Sequence, residues 1–183
     1  MKNFSKPEMM VHTALCTNKE PQSVLVYSDD ALLEGELTRH KEINYTLKAC
    51  ENILESIRDV ADSSIDVLLL DTVSSDSALF AHINRAIKED GLLVCDHPHL
   101  DEFEANKALM EILDNYFKII MPFRVGGGKT MLLCSKEYHP TADIILQRSD
   151  LLEGQSYYNC DIHTAAFAMP QYIRKQYLGI IRN

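Results

Sequence analysis

The sequence lacks most of the features that would assign it at a glance. Its five cysteines, Cys16, Cys50, Cys95, Cys134 and Cys160, form no C-x-x-C pair and are odd in number, so neither a zinc site nor a disulfide framework is indicated. Reduced thiols in a cytoplasmic protein are the simplest reading. No 18-residue apolar run occurs, and the opening "MKNFSKPEMM" holds no apolar stretch of signal-peptide length. The expectation is therefore no membrane partner and a cytoplasmic location. Positive charge is in deficit, with 18 Lys and Arg against 27 Asp and Glu, a net charge of −9. Such a balance repels a nucleic-acid backbone rather than gripping it. Internal repeats, low-complexity tracts and linkers are missing as well, which leaves residues 1–183 as one domain.

What is present suits a globular α/β chain. With 183 residues, 46% hydrophobic and 25% charged, the protein can bury a real core. Short branched-apolar runs alternate with amphipathic stretches. "SVLVYS" (23–28), "INYTLKA" (43–49), "IDVLLLD" (65–71) and "GLLVCD" (91–96) read as strands. Helices are expected through "ALLEGELTRH", "ENILESIRDV", "ALFAHINRAIKED" and "LDEFEANKALMEILDNY", the third capped by Ser74 or Ser75 and stopping before Gly91. "FKIIMPF" and "TMLLCSK", joined by "RVGGGK", form a hairpin. The resulting fold class is a doubly wound, mostly parallel sheet with an antiparallel C-terminal hairpin. Its core spans about 20–137, and a C-terminal extension runs over about 142–183. Ligands of such sheets sit beyond the carboxyl ends of the strands.

Several residues stand where chemistry could occur. Asp71 closes the apolar strand "DVLLL", at the mouth of the sheet, where helix capping is the plainer alternative. Asp29 and Asp30 close the first strand in the same way. "CDHPHLDE" (95–102) gathers Asp96, His97, His99, Asp101 and Glu102, but at no familiar metal-ligand spacing, so a solvated loop is favoured and no metal is assigned. "VGGGKT" (125–130) lacks the spacing of a phosphate loop and precedes a strand, so it reads as a tight turn. His12 lies on an expected amphipathic helix, where a satisfied, partly buried histidine is the plain reading.

Taken together, the segments resemble the spermidine synthase family of polyamine aminopropyltransferases. "YYNCDIHTAAFAMPQY" (157–172) is similar to that family's Y-Y-N-x-x-x-H-x-A-A-F-x-L-P signature, with Met169 for the Leu. "EMMVHTAL" (8–15) resembles its E-M-x-x-H segment, and "GELTRHKEI" and "IKEDGLLVC" resemble further stretches. "VLLLDTVSSD" stands where the family carries D-[ST]-x-D-P. The resemblance implies a sheet of the AdoMet-dependent methyltransferase (Rossmann-like) type. It also implies transfer of an aminopropyl group from decarboxylated S-adenosylmethionine, a co-substrate rather than a cofactor, to putrescine. The diamine, with a pKa near that of lysine at about 10.4, must lose a proton, which costs about 4–5 kcal/mol at pH 7. A carboxylate within reach can take it. By the resemblance Asp71 is that acceptor, His12 and Asp30 face the polyamine, and Asp76 stands in for the second Asp of the D-[ST]-x-D-P loop, whose place Ser74 holds. A homodimer is also implied, with Tyr157, Tyr158 and Tyr172 as a contact patch.

The departures are as informative. Tyr27, Ser28 and Asp29 replace the glycines of the family's first loop, so the backbone cannot approach a nucleoside in the same way. The acidic residue expected after the second strand falls on Cys50 with Glu51 next to it. One strand–helix unit is missing before "DVLLLD", so Cys50-Glu51-Asn52 equally matches a later loop near the adenine. Lys6 and Arg124 replace two tyrosines of the amine pocket, setting cations where a cation should bind. The chain begins where the family's small N-terminal β domain would have ended. Two readings stay open: an aminopropyltransferase, or a non-catalytic homologue binding a polyamine, nucleoside or partner chain. A methyltransferase is weaker, since nothing replaces the glycine-rich loop.

Overall fold

The computed structural model describes residues 4–183; Met1–Asn3, the start of the stretch inspected for a leader, lie outside the described residues. Four parallel strands form first: β1 (Ser23–Tyr27), β2 (Asn44–Lys48), β3 (Ile65–Leu70) and β4 (Ile87–Cys95). Between them run α2 (Leu32–Leu37), α3 (Ile53–Arg58) and α4 (Ser77–Ala86), with α1 (Ser5–Thr17) ahead of β1. α5 (Phe103–Leu113) then leads to the hairpin of β5 (Ile119–Gly126) and β6 (Lys129–Ser135). Among the described residues the sheet order is β2-β1-β3-β4-β6-β5, with β6 antiparallel to both its neighbours. β2 is thus an edge strand paired with β1 alone.

Both faces of the sheet are covered, which explains why the central strands are apolar runs rather than alternations. Val24, Val26, Val67, Leu69, Leu92 and Val94 pack on one side with α1 and α2. Leu25, Tyr27, Leu68, Leu70, Leu93 and Cys95 pack on the other with α3, α4 and α5. Each buried aliphatic side chain contributes about 1.5–3 kcal/mol. No helix among the described residues is long and apolar enough to cross a membrane.

Three expectations about elements are corrected. α1 is not amphipathic: every residue from Pro7 to Thr17 is buried, because the helix is enclosed by the sheet, α2 and α6 (Leu146–Asp150). The helix expected to reach Asp90 stops at Ala86, and "IKED" starts β4 instead. Ile87 is buried and paired with Ile65, while the Lys136 ammonium donates to the carbonyls of Asn84 and Ile87 and so caps the helix end. The N-cap is Asp76 rather than Ser74 or Ser75; its carboxylate accepts from the Ala78 amide at 2.8 Å.

The glycine turn is a true hairpin turn. Gly126, Gly127 and Gly128 have φ of 87°, 58° and 78°, a left-handed run that side chains disfavour. The C-terminal segment carries α6, α7 (Cys160–Ala166) and α8 (Gln171–Gln176). Its anchor is Glu8 of α1, whose carboxylate accepts from the amides of Ser156, Tyr157 and Tyr158 at 2.8–2.9 Å. Asn159 caps α7 by accepting from the Ile162 amide. His163, fully buried, shares a hydrogen bond with the Tyr158 hydroxyl and reaches the Pro140 carbonyl.

Candidate functional site at the carboxyl ends of β3 and β4

Strand β3 ends at Leu70, and β1 and β4 end level with it. The backbone ladder continues one step further: the Asp71 amide donates to the Tyr27 carbonyl and the Asp96 amide to the Leu70 carbonyl. Asp71 and Asp96 therefore leave the sheet side by side. Their side chains are 9% and 28% exposed. Two carboxylates this close repel each other unless a cation lies between them.

That cation is supplied by the chain. The Lys6 ammonium, on the first turn of α1, ion-pairs with Oδ1 of Asp71 and donates to Oδ2 of Asp96 at 3.2 Å. Burial alone lowers the Lys6 pKa, but hydrogen bonding and charge from Asp71, then Asp96, outweigh it and the pKa is raised. The lysine is thus held charged. Lys6 itself is 20% exposed, so the pair lies at the rim rather than in the core.

The other oxygen of Asp71 is also engaged. Ser28 donates its hydroxyl to Asp71 Oδ2 at 2.6 Å, and the Ser28 hydroxyl oxygen in turn accepts from the Asp30 amide. The loop after β1 is therefore tied to the end of β3. It is tied to the loop after β2 as well, because Asp29 accepts from the Cys50 amide at 3.2 Å. Cys50 is pushed up to about 11, by burial first and then by the charges of Asp29 and Asp71, and stays a thiol.

The remaining sequence candidates lie elsewhere. Asp30 is half-buried and accepts from the Leu32 amide at the start of α2. Glu51 is exposed beyond β2. Asp76 is exposed and engaged as the α4 cap. His12 has no exposed surface; its ring nitrogens meet His40 at 2.9 Å and Glu36 at 3.0 Å. Glu36 is lowered by His12 and Arg39 against its own partial burial, which raises it. His97 turns inward to Asn106 at 2.6 Å and Thr130 at 2.9 Å, whereas His99 is exposed. The two histidines of "CDHPHLDE" therefore serve different partners. Of the three tyrosines expected on a contact patch, Tyr158 is buried and Tyr157 half-buried, leaving Tyr172 at 59% exposure. Asp96 was visible in the sequence only as part of a loop; its neighbour across the ladder gives it significance.

Comparison with protein-family models finds no match. Among curated proteins, the chain is 29% identical to the polyamine aminopropyltransferase of Helicobacter acinonychis (strain Sheeba), over 95% of this chain and 78% of that one. It is 26% identical to the polyamine aminopropyltransferase of Clostridium beijerinckii, over 97% and 79%. Among solved structures, spermidine synthase from Thermotoga maritima superposes with a TM-score of 0.80 at 19% identity, covering 97% of this chain and 75% of that one. A spermidine synthase in complex with the transition state analogue AdoDATO gives 0.82 at 18%, covering 97% and 76%. Likeness in sequence over nearly the whole chain, together with the fold, supports the spermidine synthase, or polyamine aminopropyltransferase, family for this protein.

Proposed function

We propose that the chain keeps the amine-binding half of an aminopropyltransferase site and holds it in check with its own lysine. Asp71 and Asp96 recognise an ammonium group, and Lys6 occupies that place. Aminopropyl transfer from decarboxylated S-adenosylmethionine to putrescine is then weak or absent while the lysine stays there. The observation that carries this reading is the contact of Lys6 with both carboxylates. A base already paired with a fixed ammonium accepts a substrate proton poorly, since the pair stabilises its charged form. The nucleoside half supports the same reading. The loops after β1 and β2, which the family resemblance sets around the nucleoside, are joined here through Asp29 and Cys50.

The test is release of methylthioadenosine from decarboxylated S-adenosylmethionine and putrescine. The wild type is expected to stay near background. Lys6→Ala is expected to let putrescine raise the thermal midpoint, as a ligand specific for the native state must. Turnover by the wild type that Asp71→Asn abolishes would overturn this reading in favour of an active enzyme. That second reading has its own support: Lys6 is a partly exposed side chain, so a diamine could displace it without unfolding α1. Cytoplasmic location and homodimerisation belong to either reading, and sedimentation at several concentrations tests the dimer.

A further inference from the structure

The β5–β6 hairpin and the C-terminal segment enclose a cavity of about 340 Å³, within the size range of small-molecule sites. Arg124, Lys129, His99, Thr130, Tyr157 and Tyr172 line it beside the glycine turn. Among the described residues its lining contains no Asp or Glu, in a chain where acidic residues outnumber basic ones 27 to 18. No ion pair among the described residues uses Arg124 or Lys129. His99 differs, having Asp101 at 3.4 Å.

Two unneutralised cations at one concave site focus positive potential there. A diamine is repelled, whereas an oxyanion is attracted. The guanidinium of Arg124 offers paired donors that match a carboxylate or phosphate, and Lys129 adds a point charge. Tyr157, Tyr172 and Met169 supply broad apolar wall for an organic body. Gly127 and Gly128 leave open space where a side chain would begin, so a ligand can come close to the backbone.

We propose that this cavity binds a small organic anion, its carboxylate or phosphate group held by Arg124 and Lys129. The inference is independent of whether Asp71 acts as a base, because neither Lys6 nor Asp71 lines the cavity.

Isothermal titration of the full chain at low salt, with inorganic phosphate and with succinate in separate runs, tests it. At least one probe is expected to bind saturably, and the pair distinguishes phosphate from carboxylate. Arg124→Gln and Lys129→Gln should each weaken binding by about tenfold, the effect of one lost charge-assisted hydrogen bond. Lys41→Gln, at a separate surface cleft, should leave it unchanged. Both cationic positions are exposed, and circular dichroism melts check that the variants stay folded. Absence of saturable heat up to about 10 mM of either probe, a very weak affinity limit, overturns the proposal. So does binding that survives the Arg124→Gln, Lys129→Gln double substitution.

Discussion

The ammonium of Lys6 contacts the Asp71 carboxylate at the end of β3, joining the first turn of α1 to the middle of the sheet. Removing the lysine should therefore affect stability as well as ligand binding. In Lys6→Ala, the Asp71 carboxylate, at a largely buried position, is left among the described residues with its bond from Ser28. A loss of about 1–3 kcal/mol is expected from the unpaired carboxylate, read as a lower midpoint in urea denaturation. Addition of putrescine should recover part of it. A midpoint equal to wild type would mean that the ion pair does not hold the helix.

Glu8 links α1 to the C-terminal segment. Its carboxylate accepts three backbone hydrogen bonds while 2% exposed. Glu8→Gln keeps the shape but loses charge and turns one acceptor into a donor facing amide hydrogens. A destabilisation of about 2–3 kcal/mol is expected. Limited proteolysis should then cut the segment around Gly154 first, whereas unchanged resistance would argue that α7 and α8 hold it alone.

Acid should weaken the fold in a definite window. Burial lowers His163 from 6.5 to about 4, and burial followed by repulsion from His12 and Arg148 lowers His40 to about 3. Below pH 6.5 the unfolded chain binds protons that the native protein refuses, so stability falls as pH falls. Each histidine contributes a slope of about 1.4 kcal/mol per pH unit until its folded pKa is reached. Thermal midpoints measured from pH 7 to pH 4.5 should drop, and His163→Gln should flatten that slope even if it lowers the midpoint overall. An unchanged slope would remove His163 as a source of acid sensitivity.

Gly126 should not tolerate alanine. Its φ of 87° is left-handed, and an added Cβ would lie 2.5 Å from the Ser5 hydroxyl oxygen. Strain and contact together should cost about 1–3 kcal/mol. Since Ser5 precedes Lys6, any relaxation pushes the start of α1 away from the sheet. Gly127→Ala, with no atom within 4 Å of its new carbon, is the milder control, and equal losses at both positions would exclude the contact with Ser5.

Much of the architecture was legible in local pattern. "IDVLLLD" announced β3 because a strand covered on both faces must be apolar throughout, and three glycines between apolar runs announced the hairpin. The end of α4 was hidden, since "IKED" suits a helix locally and only the pairing of Ile87 with Ile65 makes it a strand. The amphipathic appearance expected of α1 failed for a similar reason: its polar positions, Glu8 and His12, find buried partners far away in sequence. Asp71 could be singled out by its place at a strand end. The family resemblance set Lys6 in the same amine pocket, but its contact with both Asp71 and Asp96 was not legible, because nothing in residues 5–10 indicates which rim carboxylates the lysine meets.

Lys6 also changes the terms on which any outside amine competes. A group anchored on a neighbouring helix is present at the carboxylates at an effective concentration on the order of millimolar or more. Free diamine at lower levels loses that contest unless a second contact favours it. The internal cation therefore sets a threshold: scarce amines leave the rim occupied by lysine, and only abundant or better-fitting ones take its place.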